Sequence, residues 1–308
     1  MPTDPPSVDS SFIAITGSSG LIGRALLARL RLNGKRVRRL VRSPDPDSAD
    51  DIVWDPMRGT LDPRQLEGAE AVINLAGEPI AQRWTGTRRE AIRDSRVRGT
   101  ELLARTIATL DPKPRVLLSG SAVGYYGDRG DDAVDEESAP GTDFLAGVAR
   151  AWEAATEAAA SAGVRVVLLR TGVVLSPHGG ALERLLPPFR LGVGGPIGTG
   201  RQWMSWIALE DHVRAMEHAI ATQGLHGPVN LVAPNAVTNA EFAATLGRVL
   251  GRPAIVPVPS FALELLYGEM ARSTILAGQR VLPAKLLNNR FHFAHPTLEE
   301  ALHFELVR

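Results

Sequence analysis

One glycine-spaced turn near the start constrains this chain more than any other feature. Phe12 to Thr16 is a short apolar run. It is followed by Gly17-Ser18-Ser19-Gly20-Leu21-Ile22-Gly23 and then by an amphipathic stretch ending at Asn33-Gly34. Strand, glycine turn and helix in that order is the layout that binds a dinucleotide pyrophosphate. Glycines let the backbone turn tightly and approach the phosphates, and the helix N-terminus offers free N–H groups with a partial positive charge. The flanking strand and helix give the glycine spacing its meaning.

Apolar runs alternate with helical patterns through the first half. The strand-like runs are Phe12–Thr16, Arg36–Val41, Ala71–Ala76, Arg115–Ser119 and Val164–Arg170. Between them, Leu21–Leu32, Arg88–Leu110 and Gly147–Ala162 repeat apolar residues three or four apart. The alternation predicts an α/β fold, a Rossmann-type doubly wound parallel sheet with helices on both faces. Beyond Leu175 the pattern changes, and residues 176–200 are rich in Gly and Pro, which predicts a functional loop. Leu209–Thr222 reads as a helix and Gly227–Val232 as a further strand. Thr238-Asn-Ala-Glu241 is a capping box that opens a helix closed by Gly251. The expected division is a disordered tail at 1–10 and a dinucleotide-binding domain at 11–175, to which 205–233 returns. A smaller C-terminal substrate lobe takes 176–204 and 234–308.

Composition narrows the function classes. The 308 residues carry a formal net charge of +0, so there is no electrostatic footprint for nucleic acid. With no cysteine, disulfides, thiolate nucleophiles and cysteine-ligated metals are excluded. The proline-rich polar start lacks the pattern of a signal peptide and no apolar run approaches a membrane span, so a cytoplasmic protein is expected. No metal site is expected: His292 and His295 lie three apart without a carboxylate partner pattern.

The second strand ends near Val41-Arg42-Ser43. NAD sites place an acid there for the ribose hydroxyls, whereas a guanidinium suits a 2′-phosphate. Arg42 therefore favours NADP over NAD. Asp45 and Asp47 follow Pro44 and offer a competing contact to the ribose.

Several strings together resemble a known family. Thr16 to Gly23 and Asn74-Leu-Ala-Gly-Glu78 are similar to the extended short-chain dehydrogenase/reductase superfamily. Asn74 to Ile80, Arg83-Trp84, Ser95-Arg96, Leu186 to Gly192, Gly194 to Gly198 and the run from Pro283 to Leu302 resemble its NAD-dependent epimerase/dehydratase branch, which has a small terminal domain. The resemblance implies a Rossmann domain whose C-terminal lobe closes a cleft. It implies cofactor contacts at Gly17, Ser19, Leu21, Ile22, Arg42, Leu75, Ala76 and Val174, beside Gly20, Gly23 and Gly77 of the glycine strings. By analogy it also implies a homodimer through helices on one sheet face.

Enzymes of that superfamily use Tyr-x-x-x-Lys on a helix, with a serine on the preceding strand. The three tyrosines are Tyr125, Tyr126 and Tyr267, and the lysines are Lys35, Lys113 and Lys285, so no such pair exists. The serine segment survives as Ser119-Gly-Ser-Ala-Val-Gly-Tyr-Tyr-Gly127. Ser121, or Ser119, is the candidate to hold a substrate oxygen, with Tyr125 and Tyr126 as the available phenols. The remaining polar clusters have plainer readings. The acidic run from Asp131 to Glu137 reads as a solvated face, and Glu210-Asp211 as acids suited to a helix start. Trp203 and Trp206 line either the cleft or the core. The arginines of Arg83-Trp84 and of the cluster from Arg88 to Arg98 either hold an acidic substrate or lie on a solvated helix face.

The expectation is an NADP-dependent oxidoreductase or epimerase-type enzyme for a small hydroxyl or carbonyl substrate. The rival is an NADP(H)-binding sensor or regulatory protein that has lost its chemistry.

Overall fold

The computed structural model describes residues 11–45, 48 and 50–307. The tail expected at 1–10, and Asp47, lie outside them. Strands are β1 (Phe12–Thr16), β2 (Val37–Val41), β3 (Ile52–Asp55), β4 (Thr60–Leu61), β5 (Ala69–Asn74), β6 (Val116–Ala122), β7 (Ala133–Val134), β8 (Arg165–Thr171), β9 (Val173–Leu175), β10 (Trp203–Met204), β11 (Trp206–Ala208), β12 (Gly227–Leu231), β13 (Val237–Thr238) and β14 (Arg280–Val281). Helices are α1 (Leu21–Leu32), α2 (Gly86–Ala108), α3 (Phe144–Ala154), α4 (Glu157–Ser161), α5 (Gly180–Arg190), α6 (Leu209–Ala221), α7 (Asn239–Leu250), α8 (Ser260–Tyr267), α9 (Ala284–Asn288) and α10 (Leu298–Leu306).

An eight-stranded sheet runs β12-β8-β6-β5-β1-β2-β3-β4, parallel except for the β3–β4 hairpin. This is the α/β doubly wound arrangement that the alternating pattern predicts. Strand order reverses between β1 and β5, and such a switch point opens a crevice at the carboxyl ends of the strands. Both faces of β1 are covered, which is why all five of its residues are buried and the first four are apolar without alternation. Ile13 and Ile15 face a cluster with Leu26 and Leu30 of α1 and Met216 of α6. Phe12 and Ala14 face the opposite cluster with Leu103 and Ile107 of α2. A third cluster joins Leu182 and Phe189 of α5, Trp206, Phe242 of α7 and Leu302 of α10.

Three local readings change. The stretch 147–162 is two helices rather than one, α3 opening at a side-chain cap from Asp143. They part where the Thr156 hydroxyl donates to the Glu153 carbonyl at 2.8 Å and competes with the helical ladder. The segment 176–200 is not a continuous loop, because Leu182, Leu186 and Phe189 bury one face of α5. Its two prolines, Pro187 and Pro188, lie inside the helix, and neither has the N–H that would bond back four residues. The acidic run is not wholly solvated either. Glu136 is buried and its Oε1 accepts the backbone N–H groups of Asn230 at 3.0 Å and Lys285 at 3.2 Å. It ties the edge strand β12 to α9, and burial pushes its carboxyl up despite those two donors. The capping box at Thr238–Glu241 and the left-handed Gly251 stand as the sequence indicates.

Candidate functional site

The carboxyl ends of the central strands carry buried polar residues in register. Thr16 lies beside Asn74, Asn74 beside Ser119, Ser121 beside Arg170 and Arg170 beside Asn230. Buried polar groups so placed must find partners or lose stability.

The first cluster builds the crevice. The Thr16 hydroxyl donates to Asn74 Oδ1 at 2.7 Å and accepts the N–H groups of Leu75 and Ala76 at 3.0 and 3.1 Å. Asn74 Nδ2 donates to the Thr100 hydroxyl at 2.7 Å, and the Trp152 indole donates to that hydroxyl at 2.9 Å. These bonds hold the Leu75–Ala76 backbone against the glycine turn. Gly17 has φ +65, and a Cβ there would stand 2.7 Å from the Leu75 carbonyl carbon. A Cβ on Gly23 would strike the Gly17 carbonyl and approach the Ser18 Cα to 2.8 Å. Glycine is thus demanded at both positions by contact.

Helix α1 begins directly beside this contact. Gly20 supplies no side-chain cap and the first turn holds no acid. Its leading N–H groups therefore remain available to an anion. Ser19 and Gly20 are exposed and Leu21 and Ile22 partly so, which opens this end of the helix to solvent. The loop and helix start fit a diphosphate by donor geometry. Arg42 follows β2, is exposed and makes no hydrogen bond or ion pair with the described residues, so its guanidinium is available to a ligand. Gly77 is exposed at the end of the β5 loop. Val174 belongs to the small parallel pair β9–β11, next to the main sheet.

The second cluster occupies the place where a catalytic pair would be sought. Ser121 is buried and donates to Glu153 Oε1 at 2.6 Å. Arg170 binds both oxygens of Glu153, Nε to Oε1 at 2.8 Å and Nη2 to Oε2 at 2.9 Å. Arg170 Nη1 donates to the Tyr126 hydroxyl at 3.0 Å, and that hydroxyl donates to Asn230 Oδ1 at 2.7 Å. Burial opposes the charge on Arg170, but the Glu153 carboxylate outweighs it and holds the guanidinium above its ordinary range. Burial pushes the Tyr126 phenol up to about 12, against the pull of Arg170. With its oxygen engaged on both sides, Tyr126 is held as a protonated structural phenol.

Tyr125 differs. Its ring lies beneath Arg170, whose Cζ is 3.5 Å from the ring centroid. Its hydroxyl has no hydrogen-bond partner among the described residues. Helix α3 packs alongside as Phe144–Ala154 and brings neither phenol nor ammonium. Gly120 sits between the two clusters because the Trp152 indole covers it, leaving 2.6 Å to where a Cβ would be. Ser119 is buried and its hydroxyl oxygen is unpartnered.

Other candidates fall elsewhere. Trp206 is in the core, while Trp203 is half-buried and donates to Asp131 at 2.9 Å. Asp211 is buried and accepts the backbone N–H groups of Ala294 and His295 at 2.8 and 2.9 Å, an anchor for the terminal segment. His295 pairs with Glu210 at 3.2 Å, and among the described residues His292 bonds only to the Arg290 carbonyl. Among the described residues no group of three His, Cys, Asp or Glu is gathered as for a metal. His178 and Glu210 line an open depression of about 660 Å³ with Ala25, Leu32 and Phe304. No helix among the described residues is long and apolar enough to cross a membrane.

Glu153 and Arg170 are the residues that sequence reasoning missed. Their spacing along the chain carries no signal; an unpaired Arg inside an apolar strand was the one available hint.

Comparison with known proteins shows the family. An epimerase family protein of Mycobacterium bovis is 47% identical over 97% of this chain and 99% of its own length. The human epimerase family protein SDR39U1 is 37% identical over 94% of this chain and 98% of its own length. A crystal structure of human SDR39U1 (isoform 2) with NADPH superposes with a TM-score of 0.87 at 35% identity, covering 96% of this chain and 99% of that one. Residues 258–304 match a domain of unknown function, DUF1731. Residues 13–232 match the model of the NAD dependent epimerase/dehydratase family, and the chain belongs to that family.

Proposed function

We propose that this protein binds NADP(H) in the crevice between the glycine turn and the β5 loop, and oxidises or reduces a small hydroxyl or carbonyl substrate there. The observation that carries the reading is the uncapped, acid-free start of α1, packed by Gly17 against Leu75–Ala76. The human relative crystallised with NADPH supports the choice of nucleotide. Exposed Arg42 supplies the group for a 2′-phosphate.

When bound, the cofactor supplies or accepts a hydride. The chain's own residues handle the substrate oxygen. In the arrangement present, the Ser121 proton is directed at Glu153, so Ser121 Oγ accepts a hydrogen bond from a substrate hydroxyl. Rotated away from Glu153, it donates to a carbonyl. Tyr125, whose hydroxyl is unpartnered, is the phenol that exchanges the proton. Tyr126 holds Arg170 instead. One phenol without an ammonium neighbour suits a single proton transfer better than the paired transfers of sugar epimerisation.

The second reading is a cofactor-binding sensor, favoured by a helix α3 that carries neither phenol nor ammonium. Titration of the purified chain with NADPH and with NADH, followed by absorbance at the reduced nicotinamide over a panel of small carbonyl compounds, separates the readings. Tighter binding of NADPH with loss of absorbance supports the enzyme. Tight binding without turnover supports the sensor. Absence of binding by either nucleotide overturns both.

A further inference from the structure

Arg96 stands apart from the other arginines of α2. Its guanidinium lies flat against the exposed end of the β5 loop, where a Cβ on Gly77 would stand 3.1 Å from its Cζ. Its Cζ is also 5.1 Å from the Trp152 ring. One donor, Nη1, is used on the Ile92 carbonyl at 2.9 Å. No carboxylate of the described residues lies within ion-pair distance, and the remaining donors have no acceptor among those residues. Ser95, next to it, receives the Glu78 N–H at 3.1 Å and fixes the loop that covers the guanidinium.

A guanidinium sandwiched by backbone and indole presents its edge rather than its faces. An edge with two parallel N–H donors matches two coplanar oxygens. Burial of such a charge without a counter-ion is unfavourable. Here burial draws Arg96 down to about 10, with Glu78 acting weakly in the opposite sense, so it remains a cation at neutral pH. Neighbouring arginines satisfy their charge differently, Arg98 on Asp94 and Arg89 on Glu269.

We infer that Arg96 is an anion-binding residue whose free edge takes a carboxylate or phosphate oxygen pair beside Gly77 at the exposed end of the β5 loop. The inference extends the proposed function by assigning a negative charge to the substrate, and rests on that function only for the source of the anion. The cofactor's own phosphates share this chemistry and are the competing source.

The test uses the full chain and two probes, oxalate and inorganic phosphate, each titrated with and without saturating NADPH. Binding is followed by ¹⁵N NMR of the arginine Nε–Hε and tryptophan indole signals. Wild type is expected to show saturable binding of at least one probe, weakened about tenfold or more in Arg96→Met. Arg96→Lys keeps the charge without the fork and is expected to fall between; it also decides the matter if Arg96→Met does not fold. If the probe binds beside NADPH and NADPH affinity is unchanged in the variant, the anion belongs to the substrate. If NADPH displaces the probe and Arg96→Met weakens NADPH in parallel, the site holds and the cofactor supplies the anion. Equal probe affinity in wild type and variants, or no saturable binding to wild type, overturns the inference. Probe binding in a chain that fails to bind NADPH removes the proposed function and leaves the anion site standing.

Discussion

Glu153 and Arg170 form a two-pronged buried ion pair, Nε–Oε1 2.8 Å and Nη2–Oε2 2.9 Å, directly behind the Ser121 hydroxyl. The pair spans α3 and β8, and it occupies the ground between the strand-end serine and the sheet edge. Removal of one partner leaves a desolvated charge, which typically costs about 3–5 kcal/mol. Glu153→Leu and Arg170→Met should each lower the unfolding free energy read from urea denaturation by an amount of that order. The double variant is expected to recover much of the loss, because two apolar groups need no counter-charge. Additive losses in the double variant would contradict the ion-pair account.

The glycines divide into those held by contact and those that are not. Gly23→Ala should weaken NADPH binding at least tenfold and destabilise the chain, because the new methyl meets the Gly17 carbonyl. Gly147, in α3, has no atom within 4 Å of a built Cβ and lacks a positive φ. Gly147→Ala should therefore stabilise by about 0.5–1 kcal/mol, through a less free unfolded chain. Thermal unfolding and nucleotide titration check the two in parallel.

Arg42→Asp should reverse the nucleotide preference. The carboxylate repels a 2′-phosphate and accepts from ribose hydroxyls. NADPH affinity should fall about tenfold or more, with NADH gaining or holding. Unchanged NADPH affinity would remove Arg42 from the phosphate contact.

His212 gives the stability a pH dependence. It is fully buried, its Nε2 meets the Thr171 hydroxyl at 3.1 Å, and burial lowers its pKa to about 3. The unfolded chain takes up this proton near pH ~6.5, the native state only near 3. Stability from the neutral imidazole is present above pH ~6.5 and is lost on acidification through the native pKa, at up to about 1.4 kcal/mol per pH unit. Denaturant unfolding between pH 7 and 4 should show this slope in wild type. His212→Asn should reduce it.

The sequence alone determined the doubly wound frame, because it rests on local pattern. Apolar runs of five to seven residues, Gly34 and Gly163 at helix ends, and the Thr238–Glu241 box act within a few positions of one another. The glycine turn was legible for the same reason, since contiguous residues make the strand, the turn and the helix start. What the sequence could not decide was which polar residues meet. Ser121, Glu153 and Arg170 come from three elements, and only the parallel register of β6 and β8 with α3 packed across them brings them together. The same holds for Glu136, a solvated acid by its neighbours in sequence but a buried staple once β12 and α9 close over it. Local patterning sets which surface each segment must hide; hydrogen bonding between buried polar groups depends on distances of about 3 Å that only the assembled tertiary structure fixes.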